Sequence, residues 1–229
     1  MLTGLFITGT DTGIGKTWAG IVLTRQLRRR GLRVRVRKPV ESGCALVEGA
    51  LLPADAAALQ QAAGNLEPLA QICLHALAAP LAPPTAAALA GHRLHLAGLV
   101  GACRAGVEAN DFVLVEGAGG FLSPLAEDAL NADLALALAL PVLLVAEDRL
   151  GAIHQVLATA EAIARRGLTL AGVVLNAARA APDPRLDNAR DLADRLATPV
   201  FSIAHGENSP ADDDGVPTAW LDGLLRGDA

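Results

Sequence analysis

Aromatic side chains, cysteines and surplus basic charge are all scarce in this chain of 229 residues. Lysine and arginine number 19 against 24 aspartates and glutamates, so a net charge of −5 does not advertise nucleic-acid binding. Cys44, Cys73 and Cys103 are odd in number and lack metal-ligand spacing. They argue for reduced thiols in a cytoplasmic compartment rather than a disulfide framework. The most apolar run, Leu134 to Ala146, is shorter than the ~18 residues a membrane span needs, and Pro141 interrupts it. No basic segment precedes the first apolar run, so no secretion signal is expected, and the reading is of a soluble protein without a membrane partner. Aromatics make up only 3% of the residues, and the apolar 52% is largely alanine and leucine. The length suits one large domain, residues 1–229, with a real core.

Against that background one stretch stands out, Gly9-Thr10-Asp11-Thr12-Gly13-Ile14-Gly15-Lys16-Thr17. It follows the apolar run Leu5-Phe6-Ile7 and leads into a segment with helical periodicity. A strand, a glycine loop ending in Gly-Lys-Thr and a helix are what a phosphate-binding loop requires. Backbone N–H groups surround phosphate oxygens, the helix N-terminus adds positive potential, and the lysine reaches the outer phosphates. The hydroxyl of Thr17 is placed for Mg²⁺. The strict pattern wants glycine where Thr10 stands; here the glycine is Gly9. The competing reading is a glycine turn capping a helix, with Lys16 as surface charge.

Strand-length apolar runs alternate with helical patterns along nearly the whole chain. Strands are expected at Leu5–Thr8, Val34–Arg37, Ile72–Leu74, Phe112–Val115, Val142–Ala146, Leu170–Leu175 and Val200–Ile203. Helices are expected at Trp18–Arg30, Ala56–Ala63 with Asp55 as N-cap, Leu94–Ala109, Ala129–Ala139, Ala152–Arg166 and Pro184–Leu196. Pro80 to Pro84 reads as a loop, and residues 206–217 as a mobile loop before a short terminal helix. The fold class is therefore α/β, a mostly parallel sheet with helices on both faces, of P-loop NTPase type. The arginines at 28, 29, 30, 33, 35 and 37 read as a solvated face rather than an anion-binding patch.

Binding groups in such a fold collect at the carboxyl ends of strands. Phe112–Val115 terminates in Glu116-Gly117-Ala118-Gly119-Gly120, a carboxylate where a second Mg²⁺ group belongs, then glycines that let N–H groups approach an anion. A capping glutamate and a plain glycine turn would look the same. Lys38 and Ser42 stand on the loop after Val34–Arg37, where a second lysine would stabilise charge during phosphoryl transfer. Taken alone, Lys38 reads rather as a surface lysine and Asp55 as an ordinary N-cap; the functional reading of Lys38 gains from neighbours at the same sheet edge. Asn176 closes Leu170–Leu175, where its amide could pair with a purine edge or simply start a turn. Leu150-Gly151-Ala152-Ile153 opens a helix whose free N–H groups suit a carboxylate. His154, in its first turn, reads as structural or solvent-exposed.

Taken together, Thr8 to Thr17, Lys38-Pro39-Val40-x-Ser42-Gly43 and Val115 to Gly120 closely resemble the dethiobiotin synthetases. The similarity continues through Leu150-Gly151-x-Ile153 and Gly167 to Asn176, covering roughly residues 3–177. The resemblance implies a ligase of biotin biosynthesis. It would carboxylate 7,8-diaminononanoate with CO2 or bicarbonate and close the cyclic urea of dethiobiotin, using ATP and Mg²⁺ and releasing ADP and phosphate. It implies nucleotide contacts from Gly13, Ile14, Gly15, Lys16, Thr17, Asp55, Glu116, Gly117, Ala118, Gly119, Asn176 and Ala177. Thr17, Asp55 and Glu116 would surround Mg²⁺, and Lys38 with Lys16 would be catalytic. Thr12 and Ser42 would contact the diamine, and Leu150 to Ile153 would hold its carboxylate across a homodimer interface. Gly13 and Ala177 depart from acidic residues found there in some relatives. The rival readings are another deviant P-loop ATPase that positions cargo, an amidotransferase-type synthetase acting on a larger acid, and a nucleotide-binding module without catalysis. Asp11 stands where the cargo-positioning ATPases usually carry a second lysine.

Overall fold

The computed structural model describes residues 2–177, 185–204 and 215–226. From the N-terminus run β1 (Thr3–Gly9), α1 (Lys16–Arg29), β2 (Arg33–Arg37), β3 (Val40–Ser42), β4 (Ala45–Val47), β5 (Ala50–Leu52) and α2 (Ala54–Ala62). Next come α3 (Leu69–Ile72), β6 (His75–Leu77), α4 (Pro83–Leu89), α5 (Leu96–Arg104), β7 (Asp111–Glu116), β8 (Pro124–Ala126) and β9 (Ala129–Leu130). The rest is α6 (Asn131–Leu138), β10 (Val142–Glu147), α7 (Ala152–Arg165), β11 (Leu170–Ala177), α8 (Asn188–Ala193), β12 (Val200–Ala204) and α9 (Thr218–Arg226).

Six strands form one sheet in the order β12-β11-β10-β1-β7-β2, every pair parallel. Successive residues of a strand face opposite sides, so Leu5 and Ile7 join one core while Phe6 joins the other. The first core takes α1, α2, α3 and α9; the second takes α4 to α8. Both faces are thus covered, as continuous apolar strands demand. Because the pairs are parallel, β1, β2, β7, β10 and β11 all deliver their C-terminal ends to one edge.

Several local expectations are corrected. Two of the three arginines of β2 are not a solvated face: Arg33 is exposed as expected, but Arg35 is 8% exposed and Arg37 fully buried. Arg37 forks onto both oxygens of Glu67 at 2.8 Å, and Arg35 Nε donates to Asp111 at 2.9 Å. Ile72–Leu74 is not a strand. Residues up to Ile72 form the short helix α3, and the strand comes at β6, which pairs with β3. Pro83 and Pro84 open α4, since a first-turn N–H has no intrahelical acceptor for proline to forfeit. The helix expected over Leu94–Ala109 is only Leu96–Arg104, started by Asp128 accepting from Leu96 N and ended before Gly106 at φ 68°. Ala129 and Leu130 belong to β9, so α6 begins at Asn131. Of the segment Pro184–Leu196, the helix is Asn188–Ala193, and Pro184 lies outside the described residues. So does most of the loop expected at 206–217. Among the described residues no helix is long and apolar enough to cross a membrane.

Candidate active site

The loop between β1 and α1 rises from the centre of the sheet, with β7 on one side and β10 on the other. Gly15 caps α1 at φ 92° with no side-chain cap bond, so the first N–H groups of a 14-residue helix open toward the loop. A Cβ on Gly15 would also lie 1.8 Å from Asn176 Nδ2. The displaced glycine of the motif has a packing reason. A Cβ on Gly9 would meet Ile14 Cδ1 at 2.6 Å and Lys16 Cδ at 3.2 Å, because the loop folds back over the strand end. Glycine at position 9 thus spares Ile14 and Lys16 a shift, while Thr10 is accommodated with its N–H on Val145 O at 3.0 Å.

A cavity of ≈ 330 Å³ gathers the predicted residues Thr12, Gly13, Gly15, Lys16, Thr17, Lys38, Ser42, Asp55, Glu116, Ala118 and Gly119. They come from the loop after β1, the start of α1, the loop after β2, β3, the start of α2 and the end of β7. The hub is Glu116, 1% exposed. Its Oε1 accepts from Lys38 Nζ at 2.6 Å and Thr17 Oγ1 at 2.9 Å, while its Oε2 is buried with no hydrogen-bond partner among the described residues. Lys38 Nζ also donates to Gly117 O at 2.9 Å and lies 3.7 Å from Asp55 Oδ2. Lys16 Nζ donates to Asp11 O at 2.8 Å.

The two lysines differ electrically. Burial, reinforced by the positive charge of Lys38, brings Lys16 down to about 8. Burial also acts downward on Lys38, but Glu116, Asp55 and Glu41 together outweigh it and hold that ammonium above the ordinary lysine range.

Some predicted residues sit elsewhere. Ile14 packs its side chain into the core, and its carbonyl accepts from Asn176 Nδ2 at 2.9 Å. Asn176 is fully buried beneath the loop, its Oδ1 unpartnered among the described residues. Gly117 gives its N–H to Ile7 O, and Ala177, the last residue of β11, does not line the cavity. Leu150, Gly151, Ala152 and Ile153 are on the same sheet edge beyond β10 but outside this cavity. Leu150 is 79% exposed, and the N–H of Ala152 already bonds Arg149 O at 3.1 Å. His154 is exposed.

Sequence reasoning missed Glu41. Its two oxygens accept from Asp55 N and Ala56 N, each at 3.0 Å, so Glu41 rather than Asp55 caps α2, and Asp55 is left to face the cavity. Burial pushes the Glu41 carboxyl up. Its place beside Ser42 was visible in the sequence; its partnership with a helix start 14 residues away was not. Also missed was an adjoining groove of ≈ 510 Å³, which shares Thr12, Ser42, Ala118 and Gly119 and continues over Pro80 to Pro83.

Among the described residues no three His, Cys, Asp or Glu side chains are arranged to hold a metal by themselves. The set here is mixed, two carboxylates and a hydroxyl, and the orphaned Glu116 Oε2 beside Thr17 is a fitting acceptor for a hard cation.

Fold and cavity together define a nucleotide-binding α/β protein of P-loop type. The AAA domain family matches residues 3–205. An ATP-dependent dethiobiotin synthetase BioD of Anaeromyxobacter dehalogenans (strain 2CP-C) is 46% identical over 193 residues, 84% of this chain and 85% of the relative. Another, from Anaeromyxobacter sp. (strain Fw109-5), is 43% identical over 206 residues, covering 89% and 91%. The chain belongs to this dethiobiotin synthetase family within the AAA domains. Among solved structures, chloroplast FtsY from Physcomitrella patens superimposes with a TM-score of 0.51 at 21% identity over 98% of this chain. The signal recognition particle receptor FtsY from Elizabethkingia anophelis with GDP gives 0.52 at 16% over 99%. The chain spans 66% and 64% of those two proteins, and the likeness concerns the fold alone.

Proposed function

We propose that this chain, as one P-loop α/β domain, is an ATP-dependent dethiobiotin synthetase acting in the cytoplasm. Its substrates would be 7,8-diaminononanoate, CO2 or bicarbonate, and ATP. The observation that carries the reading is the meeting of Lys16, Lys38, Thr17 and Glu116 at one cavity. The family membership supports the same reading and does not favour a cargo-positioning ATPase.

In this chemistry an amine of the diamine attacks carbon dioxide and loses a proton, giving a carbamate. A carbamate oxygen takes the terminal phosphoryl group of ATP, and ADP departs. The second amine then attacks the carbamoyl carbon, phosphate leaves, and the urea ring closes. Lys16, on the first turn of α1, binds the outer phosphates. Lys38, kept charged by Glu116 and Asp55, stabilises the carbamate and the phosphoryl group in flight. Thr12 and Ser42, at the junction of cavity and groove, hold the amines, and the groove beyond them receives the aliphatic chain. Thr17, Glu116 and Asp55 would hold Mg²⁺, which supplies charge neutralisation and orientation at the phosphates. Asn176 holds the loop through Ile14 O, and its buried Oδ1 would accept from an adenine amino group on nucleotide binding. No side-chain nucleophile is needed, and burial pushes the Cys73 and Cys103 thiols up to about 12, leaving them protonated.

Leu150, 79% exposed at the start of α7, supports a homodimer in which Leu150 to Ile153 serve the partner's substrate carboxylate. The direct test is incubation of the purified chain with diaminononanoate, bicarbonate and MgATP. Mass spectrometry is expected to find the cyclised urea, with ADP formed only when the diamine is present. ATP turnover indifferent to the diamine, with no urea, would end the reading.

A further inference from the structure

We propose that Asn131 is a positioning residue for phosphoryl transfer, holding the turn of residues 117–120 in the shape that presents Ala118 and Gly119 to the cavity. Asn131 is fully buried at the first position of α6. Its Oδ1 accepts from Ala118 N at 2.9 Å. Its Nδ2 donates to Ala118 O at 2.8 Å and to Gly120 O and Ser123 O, each at 3.1 Å. One side chain thus ties down a turn that begins at the residue after Glu116.

The consequence is in the N–H groups. Gly117 N is taken by Ile7 O, Ala118 N by Asn131, Gly120 N by Ser123 Oγ at 3.0 Å, and Phe121 N by Gly9 O at 3.1 Å. That leaves Gly119 as the donor of the turn without an acceptor among the described residues, and Gly119 lines both the cavity and the groove. The turn therefore offers a single backbone donor rather than a nest of several, at a place set by Asn131. It also carries Gly117 O, an acceptor of Lys38, so the same side chain steadies the lysine through the turn. Asn131 touches none of the cavity itself. Its effect is geometric, and misplacement of a reacting group by about 1 Å can cost roughly a hundredfold in rate.

Asn131→Ala removes all four bonds. Asn131→Asp keeps the volume and the acceptor for Ala118 but turns a carboxylate oxygen toward three carbonyls. Leu138→Ala, in the buried face of the same helix, is the control for simple loss of stability. For both Asn131 variants kcat per folded molecule is expected to fall roughly ten- to a hundredfold, with KM for ATP changed only a few-fold. The amides of Gly120 and Phe121, which Asn131 does not itself bond, are expected to exchange hydrogen faster. Leu138→Ala is expected to lower Tm with kcat unchanged. Parental kcat in either Asn131 variant, an equal kcat loss in Leu138→Ala, or unchanged exchange at residues 120 and 121 would overturn the proposal. The kinetic arm rests on the synthetase reading: a parent chain that makes no urea ends that reading, while amide exchange still decides the role of Asn131.

Discussion

Lys16 and Lys38 carry the same charge but stand in opposite electrostatic situations, and this separates their expected roles. Lys16 is largely stripped of water with a cation as neighbour, an arrangement that a polyphosphate would relieve. Lys38 is already neutralised by Glu116. Lys16→Ala should therefore remove about 2–5 kcal/mol of nucleotide binding, measured by titration calorimetry with a non-hydrolysable ATP analogue. Near-parental affinity would refute the phosphate-binding role. Lys38→Ala should leave that affinity near the parent's while single-turnover urea formation drops about a hundred- to a thousandfold. Equal loss of binding would make Lys38 structural instead.

At the scale of elements, the edge strand β2 matters because the residue after it is Lys38. Its hold on the sheet is not apolar alone. Arg37 Nη2 donates to Glu67 and, at 2.6 Å, to Ala105 O, while Arg35 bridges Glu67 and Asp111. Removing one partner of a buried pair leaves an uncompensated charge, so Glu67→Ala should cost about 3–5 kcal/mol of stability. For a chain of this length that is a fall in Tm of roughly 6 °C or more, read by calorimetry. A change under 1 °C would show that water replaces the carboxylate and that the cluster does not anchor β2.

For the whole molecule, the same cluster predicts how stability depends on pH. Burial acts upward on the Asp111 carboxyl, but the Glu108 N–H and the Arg35 and Arg33 guanidinium groups prevail and hold it below the usual carboxylate range. A depressed carboxylate stabilises the fold above its unfolded pKa, about 3.9. That contribution is lost as pH falls through the lower folded value. The Tm gap between parent and Asp111→Asn should be full near neutral pH and shrink as pH drops below 4. A gap independent of pH would exclude the linkage.

Much of this was legible from the chain. The glycine loop, the alternation of strand and helix periods, and the polar residues just after Phe112–Val115 and Val34–Arg37 are local features, governed by short-range sterics and helix polarity. They were enough to foresee the parallel sheet and to put Lys16, Thr17, Lys38 and Glu116 on one edge. Where two segments had to meet, the chain was silent. β2 looked like an exposed arginine strand because Glu67 and Asp111 lie 30 and 76 residues from their partners. α3 and β6 exchanged places with an expected strand because pairing with β3, not local propensity, decided where the extended segment lies. Glu41 and Asn131 carry no motif at all; their roles exist only once backbone N–H and C=O groups from distant loops, buried together, require a partner that water cannot supply.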